Sequence, residues 1–296
     1  MRIPVGLACI FVSVAITAQQ NPYLGKGSIG KVEKKHEDSF GPGTLAIENW
    51  VGERFILLPQ PSKLREYGYQ LFEPHLDYAS WAGKILTVTA VEKDTLPRVH
   101  FKTDDGVEVL STAYSDTIDG IAPIRDLDYA RQRWLGKSLW LRRPEIATYD
   151  EDSDQYGSIR LGRTAHVKVK SIVAGWYDHE PVRFILFADD GREGFVDLQL
   201  SGTNVSAVLR NATSFQEYFS ETDPRLTHRD WPPRVWKAIA DEKIFIGMST
   251  AQLRMSWGDP SAVNRTSTKG TSSEQWVYGT GNYVYVRNGV VTTIQN

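Results

Sequence analysis

The sequence is nearly free of cysteine: the only one among 296 residues is Cys9, which lies in an apolar run close to the first residue. If that run is removed during export, the chain holds no thiol. This excludes disulfides, thiol nucleophiles and cysteine metal sites, so the domains must fold by burying apolar side chains. Strong charge of either sign is also lacking, because the formal net charge at pH 7 is −2. A nucleic-acid partner is not expected, since phosphate binding requires clustered positive charge.

Residue patterns typical of catalysis or metal binding are lacking as well. No two of the six histidines stand four residues apart, the spacing that places two metal ligands on one helix face. The acidic run Asp150–Asp154 alternates carboxylates as a calcium loop does, but Gln155 replaces the required glycine and Leu161 the required glutamate. We favour a solvated acidic loop there and leave weak divalent binding open. No catalytic residue, enzyme activity, metal or cofactor is expected.

An apolar run from Ile3 to Ala18 follows the basic start Met1-Arg2. It is shorter than the roughly 20 residues that cross a bilayer as a helix, so it predicts a secretory signal peptide over residues 1–18. An uncleaved anchor is the alternative, and a lipoprotein is disfavoured because Cys9 follows too few apolar residues. We expect a periplasmic or secreted protein without a stable transmembrane segment after signal removal. Residues 19–44, rich in glycine and charge, are predicted to be a flexible linker.

The next part of the chain contains a repeat. Three landmarks recur in the same order at a spacing of roughly 80 residues, which predicts two copies of one module over residues 45–124 and 125–200. The pairs are Trp50–Leu57 with Trp134–Leu141, Ala82–Val88 with Leu161–Val167, and Val99–Gly106 with Ile185–Gly191.

Each copy begins with a short strand and then passes through a long polar loop, Pro59–Ser80 in the first copy and Pro144–Gly162 in the second. It closes on an alternating strand and an Asp-Gly hairpin. A short connecting helix or turn over Arg125–Trp134 is predicted between the copies. This order of elements resembles the bacterial SH3-like small β-barrel, and the resemblance implies two such barrels. Residues 201–230 are predicted to be a linker with a short helix.

The last part of the chain, residues 231–296, predicts two helices followed by antiparallel strands. Helices are expected over Pro232–Asp241, where proline takes a favoured first position, and over Ala251–Trp257, capped by Ser249 or Thr250. Asn288-Gly289 suits a two-residue hairpin turn. Three strands are expected: Gln275–Tyr278, Tyr283–Val286 and Val290–Ile294.

Several separated motifs in this part resemble the helix-then-β-meander domain of the SmpA/OmlA (BamE-like) family. The resemblance implies a bacterial cell-envelope protein and names no reaction. The expected fold is thus mainly β with an α+β C-terminal domain: two small SH3-like β-barrels, then a helix-helix-β-meander domain. The matching segments are Ile246–Ser249, Trp257–Pro260, Val263–Arg265, Glu274–Gly279 and Asn288–Val290.

Aromatic side chains are the only candidate binding residues. Trp176 and Tyr177 are expected in a loop of the second module, where burial explains aromatics less easily. In the C-terminal domain, Trp276 and Tyr278 share one face of a strand and Tyr283 and Tyr285 share one face of the next. If the two faces are opposite, one pair can line the core while the other is exposed; ordinary cross-strand packing is the alternative.

These features favour an exported cell-envelope protein that binds or scaffolds without catalysis. Its expected partners are envelope proteins or the cell-wall or lipid surface, and its expected process is outer-membrane assembly or maintenance. Two alternatives stay open. An accessory chain of a peptidoglycan-acting enzyme would fit the SH3-like modules, and a secreted protein inhibitor would fit the helix-then-β-meander domain.

Overall fold

The computed structural model describes residues 41–210, 213–268, 271–279 and 281–295, and the predicted signal peptide and residues 19–40 of the predicted linker lie outside them. The described chain is mainly β, as expected, and its strands form three antiparallel sheets that follow one another along the sequence. In this described part, no helix is long and apolar enough to cross a membrane.

The first sheet has six strands in the order β2-β5-β4-β3-β1-β6. Its strands are β1 (Arg54–Leu57), β2 (Phe72–Glu73), β3 (Ile85–Glu92), β4 (Arg98–Thr103), β5 (Glu108–Thr112) and β6 (Ile121–Pro123). Helix α1 (Tyr78–Trp81) and two short 3-10 helices over Ile47–Asn49 and Ser62–Tyr67 lie in the connections. Strands β4 and β5 bury every second residue, as their alternation predicts.

The second sheet follows helix α2 (Ile124–Trp134), so the predicted connecting helix or turn is a helix. Its order is β13-β7-β10-β11-β12-β8-β9. Its strands are β7 (Ser138–Leu141), β8 (Glu145–Asp150), β9 (Gln155–Arg160), β10 (His166–Tyr177), β11 (Glu180–Ala188), β12 (Glu193–Leu198) and β13 (Phe219–Ser220). One-turn helices α3 (Phe215–Tyr218) and α4 (Pro224–Thr227) flank the last strand.

The two sheets have equivalent topology. Strand β1 pairs with β3 and β6, as β7 pairs with β10 and β13, and the remaining order β3-β4-β5-β2 matches β10-β11-β12-β8. Trp50 and Trp134 are both fully buried ahead of the first strand of each sheet. Both Asp-Gly hairpins form as predicted, with Gly106 and Gly191 at φ +91° and +85°.

A hairpin of the second module was not anticipated. The stretch 144–162, expected to be a polar loop, contains the hairpin of β8 and β9, which we call the arm (residues 145–160). Ile146 pairs with Ile159, and Tyr149 with Tyr156. The polar residues around these two cross-strand pairs conceal the strand signal, because pairing across the hairpin is not visible in a linear sequence.

Residues 199–205, which we call the strap, bind the two modules together. Ser201, Thr203 and Asn204 are all buried. Asn204 accepts a hydrogen bond from the Ile118 N–H and donates to the carbonyls of Ile118 and Ile121 in the first module. Residues 201–230, expected to be a linker, thus begin in a buried polar segment, and farther on they supply Phe215 and Phe219 to the second core.

The C-terminal domain packs two helices on a four-stranded meander. The helices are α5 (Pro233–Ala240) and α6 (Thr250–Trp257), and the strands are β14 (Ala262–Thr268), β15 (Thr271–Tyr278), β16 (Asn282–Arg287) and β17 (Val290–Gln295). Both predicted helices are confirmed, and Ser249 with Gln252 forms a capping box. Asn288 and Gly289 have the positive φ values of the predicted turn.

The expectation of three strands in this domain was wrong, because β14 precedes them at the sheet edge. Its residues Asn264 to Ser267 are exposed on both faces. An edge strand with two polar faces has no hydrophobic alternation, so the sequence pattern does not reveal it.

Candidate functional site

A groove of about 530 Å³ lies where the arm departs from the second sheet. Strands β8 and β12 share a single residue pair, Ala147 with Phe195, whereas β12 shares six with β11. The two strands therefore diverge, and the space between them becomes the groove. Its walls include Glu145 on β8, Tyr156 on β9, Tyr177 and Glu180 on the β10–β11 hairpin, Asp197 on β12, and Tyr218.

The floor of the groove is stiffened by a buried ion pair. Arg183 donates from Nε to Oδ1 of Asp197 at 2.7 Å and from Nη2 to Oδ2 at 2.6 Å. Its guanidinium carbon lies 3.9 Å from the ring centroid of Trp176 and 3.8 Å from that of Phe195. Burial raises the pKa of Asp197, and the hydrogen bonds from Arg183 oppose that shift. The pair thus holds β11, β12 and two aromatic rings in one arrangement.

The arm covers this ion pair with aromatic rings. The Trp176 ring centroid lies 4.5 Å from that of Tyr149 and 5.4 Å from that of Tyr156. At the tip of the arm, the Tyr149 hydroxyl donates to Asp154, and Lys63 of the first module pairs with Asp154 at 3.0 Å. The arm is therefore held both by the second sheet and by the first module.

Two of the sequence-predicted binding residues lie here, but not in the predicted loop. Trp176 and Tyr177 are the last residues of strand β10. The expectation of a loop was wrong because β10 continues past a register shift at Ala174 to pair Tyr177 with Glu180. Trp176 is half-buried in the aromatic cluster, whereas the Tyr177 side chain is exposed and lines the groove. Their role in binding stays a prediction.

Glu180 is a carboxylate of the groove wall at the start of β11. It is half-buried, and no lysine or arginine of the described residues forms a salt bridge with it. Burial raises the pKa of this carboxyl above its usual value, and the neighbouring charge of His179 opposes the shift. The opposite wall carries Tyr218, with the guanidinium carbon of Arg143 4.8 Å from the Tyr218 ring centroid.

The C-terminal aromatic residues lie on opposite faces of their sheet. Trp276 is buried in the core against the helices, and Tyr278 packs beside it. Tyr283 and Tyr285 lie on the other face and are half-exposed. A chain of side-chain hydrogen bonds crosses that face from Asn264 to Gln275, from Gln275 to the Tyr285 hydroxyl, and from that hydroxyl to Gln295.

In the described part of the chain, no group of three or more His, Cys, Asp or Glu side chains is placed to hold a metal ion. The Asp150 and Asp154 carboxylates at the arm tip already accept hydrogen bonds from within the arm. Asp150 accepts from the backbone N–H groups of Asp152 and Ser153, and Asp154 accepts from the Tyr149 hydroxyl. The groove offers rings, one carboxylate without a salt bridge, and diverging backbone.

Sequence reasoning missed Arg183, Asp197, Glu180 and the aromatic residues of the arm. One signal was available: Arg183 is the only charged residue in the apolar run 182–188. A charge within such a strand requires a buried partner, because an unpaired buried ion is costly. Its partner could not be identified, since the pairing depends on the β11–β12 register.

No protein-family model matches the chain, and neither a curated protein nor a solved structure matches it.

Proposed function

We propose that this chain is an exported, non-enzymatic binding protein of the bacterial cell envelope, and that the groove is its principal binding surface. The observation that carries the proposal is the construction of the groove. Exposed Tyr156 and Tyr177 project from a frame fixed by the Arg183–Asp197 pair. Aromatic rings on a preorganised frame suit binding, because they contribute contact area at little conformational cost.

The envelope assignment is supported by the sequence. The apolar run Ile3–Ala18 supports export, and the motifs around Trp257–Pro260 and Asn288–Val290 support the likeness to the SmpA/OmlA family. The equivalent topology of the first two sheets supports the interpretation as two SH3-like modules. Outer-membrane assembly or maintenance is the process in which we place the protein.

Cross-linking in intact cells tests the proposal. A photoreactive phenylalanine analogue is introduced at Tyr177, in the groove, and separately at Leu96, an exposed residue in the turn between β3 and β4 of the first module. We expect fractionation to place the mature chain outside the cytoplasm, and the 177 variant to give an adduct that the 96 variant lacks.

Retention in the cytoplasm, or the same adducts from both positions, would overturn the proposal. The identity of the adduct separates the alternatives. Envelope proteins or lipid favour scaffolding. A peptidoglycan-acting enzyme favours the accessory chain, and a tight one-to-one complex with a single enzyme favours the inhibitor.

A further inference from the structure

One charged group of the groove lacks a lysine or arginine partner in the described structure. Arg143 pairs with Glu217 at 3.3 Å, Glu145 with Arg160 at 3.0 Å, and Asp197 with Arg183 at 2.6 Å. Glu180 alone among the charged lining residues has no salt bridge in the described structure, and the polar groups beside it are the His179 imidazole and the Thr213 hydroxyl. The groove therefore has a local excess of negative charge at one position.

The surroundings of Glu180 favour a cation over a neutral group. Tyr177 lies directly opposite Glu180 in the hairpin register, and Tyr156 and Tyr218 line the same groove. The negative face of a tyrosine ring attracts an ammonium group, and the attraction increases where water is partly excluded. A carboxylate that is half removed from water also gains more from a cation than an exposed one does.

The groove also suits an extended polypeptide. Strands β8 and β12 pair only at Ala147 and Phe195, so the facing backbone of Ile146 and Val196 forms no ladder pair across the gap. Unpaired strand backbone is the surface on which an extended segment adds through main-chain hydrogen bonds, while its alternate side chains enter flanking pockets.

From this arrangement, and resting on the proposed binding function, we propose that the groove takes an extended protein segment whose lysine side chain meets Glu180 between the tyrosines. Lysine fits better than arginine because its compact ammonium sits at the end of a flexible apolar stem. The stem lies against the rings while the ammonium reaches the carboxylate. The Arg183 guanidinium already lies against the Trp176 and Phe195 rings, so a second guanidinium has no free ring face there.

The test is a nuclear magnetic resonance titration of the isotope-labelled full chain with the peptide acetyl-Gly-Gly-Lys-Gly-Gly-amide. The same peptide with an acetylated lysine side chain is the neutral control. We expect the lysine peptide to shift the amide signals of Gly157, Tyr177 and Val196, and the acetylated peptide to bind at least about tenfold more weakly, since a hydrogen bond to a charged group is lost.

Two substitutions identify the residue responsible. Glu180→Gln keeps the shape and removes the charge, and we expect it to weaken lysine-peptide binding by about ten- to a hundredfold. Glu108→Gln makes the same charge change on an exposed glutamate of the first module and should leave binding unchanged. Tyr177→Leu, which keeps an apolar contact without the ring face, should weaken binding several-fold and provides a second route if Glu180→Gln fails to fold.

Equal binding of the two peptides, or unchanged binding by Glu180→Gln, would overturn the lysine assignment. That result is distinct from failure of the proposed function. An adduct specific to position 177 together with charge-independent peptide binding would retain the binding groove and reject its cationic occupant. Absence of an adduct specific to position 177 would reject both the proposed binding function and the lysine assignment.

Discussion

Arg183 and Asp197 lie directly opposite each other on β11 and β12 and form a buried ion pair through two parallel hydrogen bonds. The guanidinium is enclosed by the rings of Trp176 and Phe195, so neither charge is well screened by water. A buried pair of this kind specifies one arrangement of its strands, because separating the charges leaves an ion in an apolar cluster. In this protein that arrangement is the floor of the groove.

The first prediction concerns this pair. Arg183→Met should lower the free energy of unfolding by about 3–5 kcal/mol, because it leaves the Asp197 carboxylate buried without its partner. The double variant Arg183→Met, Asp197→Leu should recover most of that loss, since a buried pair replaced by apolar groups is often nearly neutral. Urea unfolding followed by tryptophan fluorescence measures both. A double variant as unstable as the single one would contradict this account.

The second prediction concerns Asn204 in the strap. Asn204→Gly should lower the free energy of unfolding by about 2–4 kcal/mol, because two carbonyls and one N–H of the first module lose their partner. Asn204→Ala should cost about 1 kcal/mol more, since Asn204 has a φ of +59°. Urea unfolding gives the energies.

Hydrogen exchange locates the effect of the Asn204 variants. The Ile118 amide, which donates to Asn204 at 2.7 Å, should lose protection in both. Unchanged protection at Ile118 would show that the strap does not hold the first module in this way.

The third prediction concerns the pH dependence of stability. Ser201 donates its N–H and its hydroxyl to Oδ2 of Asp126, while Oδ1 is buried without a partner. Burial raises the pKa of Asp126 from 3.8 to about 6. The Asp126 carboxyl therefore binds a proton more tightly in the folded state than in the unfolded chain. Protonation of Asp126 therefore contributes to the free energy of unfolding. This contribution is fully present below pH 3.8 and is lost as the pH rises through 6.

Asp126→Asn imitates the protonated carboxyl and tests whether stability falls as the pH rises. At pH 8 the variant should exceed the wild type in free energy of unfolding by up to about 3 kcal/mol, which corresponds to the difference between the two pKa values. At pH 4 the difference should shrink to under about 1 kcal/mol. Urea unfolding at both values measures it, and an equal difference at the two pH values would refute the assignment to Asp126.

The fourth prediction concerns the contact between the second module and the C-terminal domain. Glu242 pairs with Arg160 and with the mostly buried Arg163. Glu242→Ala should destabilise this contact by about 1–3 kcal/mol, because a buried guanidinium loses a charged partner. Asp241→Ala, which removes an exposed pair with Lys237, should cost under about 0.5 kcal/mol.

Hydrogen exchange of helix α5 and of the residues around Gly162 measures this contact. Gly162 approaches the Ala240 carbonyl so closely that an added Cβ would lie 2.9 Å from its oxygen. We expect exchange on both sides to accelerate in Glu242→Ala and to stay unchanged in Asp241→Ala. Equal acceleration in the two variants would assign the effect to lost helix charge instead of the interdomain pair.

Local signals in the sequence predicted many of the elements. The Ser249 cap, the proline at the start of α5, and the Asp-Gly and Asn-Gly turns act over a few neighbouring residues, so each forms where the sequence places it. The helix after the first module and the alternating strands were predicted for the same reason. The polar strands β9 and β14 were not, because their stability comes from pairing with β8 and β15.

The candidate site was predicted only in part. Aromatic type alone singled out Trp176 and Tyr177, but the groove requires Glu180, Asp197 and Tyr218, which come from separate segments of the chain. Reading Arg183 as the lone charge of an apolar run would have indicated a buried partner.

The sequence by itself determined the mainly β character, the repeated order of strands, the helix ends and the tight turns, because propensity, alternation and turn chemistry act locally. The tertiary structure alone decided the register that joins Arg183 to Asp197, the path of the strap through Asn204, and the divergence of β8 from β12. These depend on contacts between residues far apart in the chain. Such contacts form only when whole elements pack, and many pairings are compatible with the same local pattern.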